Sequence, residues 1–177
     1  MLGMVFTEFI EMVEARFSPE VADDVLADAG LSHGGAYTAV GYYPADELRT
    51  MVDGLSRRTG RPVDELVRAF GSHLAQRFSQ AHGQYFSAHR HPFDLIAAID
   101  GHIHVEVRKL YPQAQLPQFD VLERLPGRMR LRYRSERRLH LLALGLIEGV
   151  IAWYGRPCQV AMTTLEDGAE FLLEEAP

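Results

Sequence analysis

The hydrophobic period of the chain changes at Pro112, and this change limits the possible folds more than any other feature. Before this proline, apolar residues recur at the three- and four-residue spacing of amphipathic helices. After it, they alternate with polar residues in short runs, as in half-buried strands. We therefore predict an α+β fold, in which a helical N-terminal part packs on a C-terminal part with a small antiparallel four-stranded sheet and a crossing helix.

Prolines and glycines divide the segment before Pro112 into helices. Five apolar residues form one stripe of the first helix: Phe6, Phe9, Ile10, Val13 and Phe17. Ser18-Pro19-Glu20 supplies an N-cap, a first-turn proline and an early acid for a second helix that ends near Gly30. Three further helices, each opened by a proline, are predicted over residues 44–59, 62–80 and 92–111. Gly60 and Gly83 are predicted to close the first two of these.

The segment after Pro112 predicts two hairpins with a helix between them. The four strands are expected at residues 119–125, 129–135, 158–165 and 169–173. Pro126-Gly127 forms the first turn, Glu166-Asp167-Gly168 forms the second, and the helix covers residues 138–154. This order favours an antiparallel sheet over a doubly wound parallel one.

The length of 177 residues and the hydrophobic content of 47% suit one compact domain or two tightly packed subdomains. We predict a single domain, with an N-terminal helical subdomain at residues 1–61 and a C-terminal subdomain at residues 62–177. A net charge of -6 and an isoelectric point near 5.7 argue against nucleic acid as a partner, because phosphate binding draws on a positive surface.

No stretch reaches the roughly 20 apolar residues of a membrane-spanning helix, and the N-terminus lacks a basic leader followed by an apolar run. We therefore expect a cytoplasmic protein without a membrane span. The single cysteine, Cys158, excludes an internal disulfide and a thiolate metal cluster, and we expect it to be a buried small apolar residue.

Polar side chains continue an apolar strand face near the middle of the chain. Met129 and Leu131 are followed, at the strand period of two, by Tyr133, Ser135 and Arg137. The opposite face carries four arginines: Arg128, Arg130, Arg132 and Arg134. Buried hydroxyls beside a guanidinium are costly unless an anionic group satisfies them, so the pattern predicts a ligand that carries a carboxylate.

These three polar residues can also be interpreted without a ligand. In that case, Ser135 caps the following helix, Arg137 pairs with Glu136 or Glu148, and Tyr133 is a core residue with a hydrated hydroxyl. The four-arginine face is expected to be a solvated surface rather than a nucleic-acid patch. The acids that balance it near the end of the chain are Glu170, Glu174 and Glu175.

One helix carries two histidines that could bind a metal, and by periodicity alone His102 and His104 are equally credible. His102 faces Glu106 one turn on, a charged companion that suits solvent. His104 stands over Gly101 and Ala97, whose small side chains leave room for a flat macrocycle. We therefore favour His104 as an axial ligand, with its second ring nitrogen bonded to a backbone carbonyl or to water.

His104, Pro117 after it, and the Tyr133-x-Ser135-x-Arg137 pattern together resemble the H-NOX family of haem nitric oxide/oxygen binding domains, which is related to the sensor domain of soluble guanylate cyclase. Residues 5–14 and 34–41 add to this resemblance, which covers nearly the whole chain. It implies haem b (iron protoporphyrin IX) buried between the two parts of the chain. It also implies that His104 binds the iron, the three polar residues bind the propionates, and Pro117 presses on the porphyrin.

The resemblance also assigns a pocket on the opposite, distal side of the haem. The matching positions are all apolar: Val5, Phe9, Leu74, Phe78, Leu142 and Leu146. Oxygen-binding members carry a tyrosine at the place of Leu142 and an asparagine at the place of Leu74. Because bound O2 is held better by a hydrogen-bond donor and NO needs none, these leucines favour NO.

We therefore expect a sensor of nitric oxide rather than an enzyme, with CO as a further candidate ligand. Resemblance to stand-alone bacterial members implies a separate partner, either a histidine kinase or a cyclic-di-GMP enzyme. Three alternatives stay open: an O2 sensor or store, a haem enzyme acting on peroxide or nitrite, and a haem-free interaction module. The enzyme would need a distal acid-base pair, such as a histidine with an arginine, which the matched positions lack.

Overall fold

The computed structural model describes residues 1–176 and confirms the α+β class. The chain forms two compact units, Met1–Phe70 and a second unit that begins at Gly71. Helices make up the first unit, and the second contains helices and one antiparallel sheet. The boundary between the units falls inside helix α4, which spans Val63–Ala81.

Three complete helices form the first unit, α1 (Gly3–Arg16), α2 (Pro19–Asp28) and α3 (Ala45–Thr59). The predicted stripe of α1 is buried at Phe6, Phe9 and Val13, whereas Ile10 and Phe17 are only half-buried. The predicted helix punctuation is confirmed at Ser18 and Gly60. The Ser18 hydroxyl accepts from the backbone N–H of Val21 at 3.3 Å, and Gly60 ends α3 with a φ of 70°, a left-handed conformation that glycine adopts without a steric penalty.

The helix predicted over residues 92–111 is instead three successive segments. It consists of α6 (Pro92–Ala97), a π-helical segment (Ile99–Ile103) and α7 (His104–Leu110). The N–H of Ile103 bonds to the carbonyl of Ala98, five residues back, at 3.3 Å, which is the spacing of a π-helix. A further short helix, α5 (Gly83–Ser87), begins at the glycine that was predicted to close α4.

The four strands are β1 (Gln118–Leu125), β2 (Arg128–Arg134), β3 (Cys158–Leu165) and β4 (Gly168–Glu175). They pair antiparallel in the order β1-β2-β4-β3, so the two predicted hairpins join through β2 and β4. Helix α8 (His140–Trp153) contacts β3 and β4. A Cβ at Gly168 would lie 1.9 Å from the carbonyl oxygen of Tyr133, so β4 needs glycine where it passes the end of β2.

The two faces of β2 differ as the sequence predicted. Met129, Leu131 and Tyr133 are buried against the core. The four arginines of the other face form ion pairs with acids on the neighbouring strands and turn: Asp120, Glu123, Asp167, Glu170 and Glu174. The prediction of a balanced face is therefore confirmed for Glu170 and Glu174. It is wrong for Glu175, which pairs with His91 and Arg156.

Two other predictions, on membrane spans and on Cys158, can be compared with the structure. Within residues 1–176, no helix is both long enough and apolar enough to cross a membrane. Cys158 is half-buried rather than buried, and burial raises the pKa of its thiol. The start of β3, where it lies, exposes alternate residues.

Candidate functional site

His104 is the first residue of α7, directly after the π-helical segment. Its side chain is 12% exposed, whereas His102 lies at the surface. The preference for His104 over His102 therefore agrees with burial. A regular helix over residues 92–111 would place Leu110 on the same face as Ile99 and Ile103, but Leu110 is 74% exposed, because the π-helical segment shifts the phase of the residues that follow it.

The hydrogen bonds of Asp100 fix the orientation of the His104 ring. One carboxylate oxygen lies 2.6 Å from Nδ1 of His104, and the other accepts from the backbone N–H of Phe119 at 2.9 Å. An ionised carboxylate only accepts, so Nδ1 carries the proton. In this tautomer Nε2 keeps its lone pair, which is the form of imidazole that binds a metal.

Asp100, the acceptor for the Nδ1–H of His104, was not predicted from the sequence. A backbone carbonyl or water was expected there, and the structure places a carboxylate. The four-residue separation of Asp100 and His104 is the signal that could have found it, since side chains at this spacing meet on a helix.

The electrostatics of His104 favour the neutral ring. Burial lowers the pKa of His104, and the nearby charge of Arg108 acts in the same direction. The hydrogen bond and charge of Asp100 oppose this shift without overcoming it. A metal-binding histidine must be neutral, so the environment suits a ligand.

Two aromatic contacts lead from His104 to Tyr133, one of the predicted carboxylate-binding residues. The His104 and Phe119 rings lie 6.2 Å apart between centroids, and Phe119 lies 5.2 Å from Tyr133. Tyr133 in turn lies 6.3 Å from Phe171 on β4. Pro117, half-buried, immediately precedes β1 and stands two residues before Phe119. In the second unit, His104, Pro117 and Tyr133 therefore lie close to the start of β1.

The three polar residues lie together at the end of β2, although not all on the strand. Tyr133 is 3% exposed, and burial raises its pKa against the opposing effects of Ser135 and Arg137. Ser135 and Arg137 follow the last strand residue, Arg134, in a turn where the Ser135 hydroxyl accepts from the N–H of Arg137 at 3.3 Å. The prediction that all three continue the strand is therefore wrong beyond Tyr133, because this turn redirects the chain.

The Arg137 guanidinium bonds to neutral acceptors. It donates to the backbone carbonyl of Gln115 at 2.7 Å and to the side-chain oxygen of the same residue at 2.9 Å. The ligand-free interpretation is wrong about Ser135, which does not cap the next helix, since α8 begins at His140 and Leu139 is its N-cap. Its placement of Tyr133 in the core agrees with the structure. A carboxylate would give the Arg137 charge an ionic partner in place of Gln115.

An open groove beside these residues is lined by both charges: four arginines (Arg132, Arg134, Arg137 and Arg138) and three acids (Glu136, Glu166 and Asp167), together with Ser135. Arg132 and Arg134 are ion-paired with acids, whereas Arg137 is bonded to the neutral oxygens of Gln115 and can take a carboxylate in their place. The Ser135 hydroxyl can donate a further hydrogen bond to the same group. The geometry therefore fits the propionate groups of a haem.

Four of the predicted distal residues lie on two helices of the second unit, Leu74 and Phe78 on α4, and Leu142 and Leu146 on α8. Leu74 and Leu142 are 2% and 9% exposed, and Phe78 and Leu146 are half-buried beside the core. None of these four side chains carries a hydrogen-bond donor.

The two helices approach closely because small residues line their crossing. A Cβ at Gly71 would lie 2.2 Å from the carbonyl oxygen of Leu142, and one at Gly149 would lie 2.5 Å from the Cβ of Ala75. Val5 and Phe9, the other two predicted distal residues, lie on α1 in the first unit, where Phe9 packs edge-on against Phe70 with centroids 5.3 Å apart.

The family described as Haem-NO-binding matches residues 2–162 of this chain. Among solved structures, the unliganded Fe(II) H-NOX protein from K. algicida is similar at 30% identity and a TM-score of 0.92, covering 100% of this chain and 97% of that one. An H-NOX protein from S. oneidensis in the Fe(II)NO state is similar at 26% identity and a TM-score of 0.91, covering 100% of both chains.

The IWP-051-bound H-NOX from Shewanella woodyi, in the Fe(II)CO state, is similar at 37% identity and a TM-score of 0.86. That match covers 100% of this chain and 95% of the other. No curated protein shows a significant sequence match.

Proposed function

Because the chain belongs to the haem-NO-binding (H-NOX) family, we propose that it is a haem-based sensor that binds nitric oxide and passes the signal to a separate signalling protein. The family consists of haem-binding sensor domains without catalytic activity. Bound haem would supply a ferrous iron that binds diatomic gases, and two propionates that need cationic or hydroxyl partners.

The hydrogen bond between His104 and Asp100 is the main observation that supports haem binding, because it leaves Nε2 of a neutral imidazole as the ligand atom. Tyr133, Ser135 and Arg137 would hold the propionates, with Arg137 exchanging the neutral oxygens of Gln115 for a carboxylate. Pro117 would press on the porphyrin, a role implied by its match to the family pattern.

Selectivity for NO rests on the apolar character of the distal positions. Leu74 and Leu142 are buried and cannot donate a hydrogen bond. Val5, Phe9, Phe78 and Leu146 complete the proposed distal set, and their side chains also lack donors. Such a pocket gives O2 no donor, while NO binds ferrous haem without one. The S. oneidensis and S. woodyi relatives were solved with NO and CO bound, which supports these two gases as ligands here.

We further propose that the receiving protein is a histidine kinase or a cyclic-di-GMP enzyme, the partner types implied by resemblance to bacterial members. With haem bound, His104 would hold the iron, Leu142 would line the side open to the gas, and a change in the hold of His104 would be the signal that the partner receives. A change in the affinity of this chain for its partner between the two states would carry the signal.

Retention of haem by His104→Gly and His102→Gly variants tests the proposal. The native chain and His102→Gly should keep haem through gel filtration and show a Soret band. His104→Gly should lose haem unless imidazole is supplied, because free imidazole can take the place of the missing side chain. Haem retention and an unchanged ferrous spectrum in His104→Gly, without imidazole, would show that the ligand lies elsewhere.

A further inference from the structure

The two carboxylate oxygens of Asp100 accept hydrogen bonds from two residues that are far apart in sequence. Oδ1 lies 2.6 Å from the His104 ring, and Oδ2 accepts from the N–H of Phe119, nineteen residues further along the chain. Phe119 is the second residue of β1. One side chain therefore ties the imidazole to the start of the first strand.

The backbone around Asp100 has an uncommon form. Asp100 is the second residue of the π-helical segment, and the N–H of His104 bonds to the carbonyl of Ile99 across five residues. Single π-helical turns inside helices are rare and occur frequently at functional sites. The histidine and its carboxylate partner both lie at this turn.

A carboxylate partner changes how firmly an imidazole binds a metal. It fixes the tautomer and the ring orientation, and it raises the basicity of the nitrogen that faces the metal. We propose that Asp100 is the positioning residue of His104, and that its second bond, to Phe119, couples the imidazole to β1. This inference rests on the proposed function, in which His104 binds the haem iron.

The coupling follows from the geometry of one rigid group. Both oxygens belong to the same planar carboxylate, so a rotation of the His104 ring alters the distance from Asp100 to His104, to Phe119, or to both. The Phe119 ring also lies 6.2 Å from the His104 ring between centroids and 5.2 Å from that of Tyr133. A displacement of the His104 imidazole is therefore transmitted to the start of β1 through Asp100. It is also transmitted to Tyr133, on the side proposed to bind the propionates, through the ring of Phe119.

The Asp100→Asn variant of the haem-loaded chain tests this proposal. An amide has the shape of the carboxylate, but an NH2 group replaces one of the two oxygens, so the bonds to His104 and Phe119, which use one oxygen each, cannot both be kept. We expect a lower iron–histidine stretching frequency in the resonance Raman spectrum of the ferrous protein. Haem transfer to apomyoglobin should be faster by about tenfold or more, the usual effect of losing such a partner. In Asp100→Ala, which removes both acceptors, amide hydrogen exchange at Phe119 should also be faster.

Glu106→Gln is the matched control, since it removes one carboxylate from the same helix, where Glu106 binds Lys109 at 2.6 Å. The control should keep the native stretching frequency, transfer rate and exchange rate. A native stretching frequency and a native transfer rate in Asp100→Asn would overturn the positioning role. Native exchange at Phe119 in Asp100→Ala, where no acceptor remains, would overturn the coupling to β1.

These outcomes are separate from a failure of the proposed function. If His104→Gly kept its haem, His104 would not be the ligand, and the proposed function and the positioning role would fall together. If only His104→Gly lost haem while Asp100→Asn matched the native chain, the proposed function would stand and this inference alone would fail.

Discussion

The His104 region and the crossing of α4 and α8 are held together in opposite ways. Hydrogen bonds to one carboxylate hold the first, where Asp100 accepts from both the His104 ring and the N–H of Phe119. Close contact between small residues holds the second, where Gly71 meets the backbone of Leu142. The histidine side would therefore control the iron by the polar groups it contains. The apolar distal side chains on α4 and α8 would control the bound gas by their shape and by their lack of hydrogen-bond donors.

The helix crossing should be the more fragile of the two. In Gly71→Ala, the new methyl would lie 2.2 Å from the Leu142 carbonyl oxygen, so α4 and α8 must separate. We expect the free energy of unfolding to fall by about 2–3 kcal/mol, measured by urea denaturation. Gly83→Ala is the control, because a Cβ there meets no atom within 4 Å. Equal stability of the two variants would show that the crossing is not tightly packed.

A donor placed on α8 should alter gas selectivity. In Leu142→Tyr, a hydroxyl is added on the proposed distal side, and we expect the ferrous protein to form an oxygen complex that is stable in air. A hydrogen bond to a charged group is worth about 1.5–3 kcal/mol, which corresponds to at least a tenfold gain in O2 affinity. Leu142→Phe supplies the ring without the hydroxyl and should not gain O2 affinity. A similar gain in both variants would assign the effect to size rather than to the donor.

The charge of Arg137 should matter more for haem than that of an arginine on the outer sheet face. Arg137→Gln removes the charge beside Tyr133 and Ser135, and we expect haem affinity to fall by about tenfold, the value of one charge-assisted hydrogen bond. Arg128→Gln removes an equal charge from the ion-paired face of β2 and should leave haem affinity unchanged. Competition with apomyoglobin measures both. An equal loss in the two variants would indicate a general effect of net charge.

The smallest effect is expected for the contact between His91, at the start of α6, and Glu175 on β4. His91, the N-cap of α6, lies 2.8 Å from Glu175 on β4, and this hydrogen bond lowers the pKa of Glu175, with Arg156 adding to the shift. A lowered folded-state pKa means that the pair stabilises the fold above the unfolded pKa of Glu and loses this contribution as the pH falls through the folded value. Glu175→Gln should reduce stability at pH 7 by less than about 1 kcal/mol and have no effect below the folded pKa. An equal loss at both pH values, in urea denaturation, would contradict the ionic origin.

Much of the fold could be predicted because local signals and burial agree. Alternation at Met129, Leu131 and Tyr133 placed the inner face of β2, and Ser18 marked the start of α2. The His104 region was predicted less completely. A π-helical turn has no periodic signature of its own, and the bond from Asp100 to Phe119 joins residues that only the folded chain brings together.

The position of Arg137 shows the same limit. The period of two continues through Ser135 and Arg137 in sequence, but β2 ends at Arg134, where the backbone turns and the Ser135 hydroxyl accepts from the Arg137 N–H. A pattern of side chains does not reveal where a strand stops when the residues beyond it keep the same alternation. Here the turn brings Arg137 to Gln115 rather than extending the sheet.

An absorption spectrum of the chain, recorded after loading with haem and reduction, is the sharpest test of nitric oxide sensing. We expect a Soret band that shifts when NO is added, and no stable oxygen complex when the same ferrous protein is exposed to air. A chain that binds no haem, or one that forms a stable oxygen complex in air, would show that this protein is not an NO-selective haem sensor.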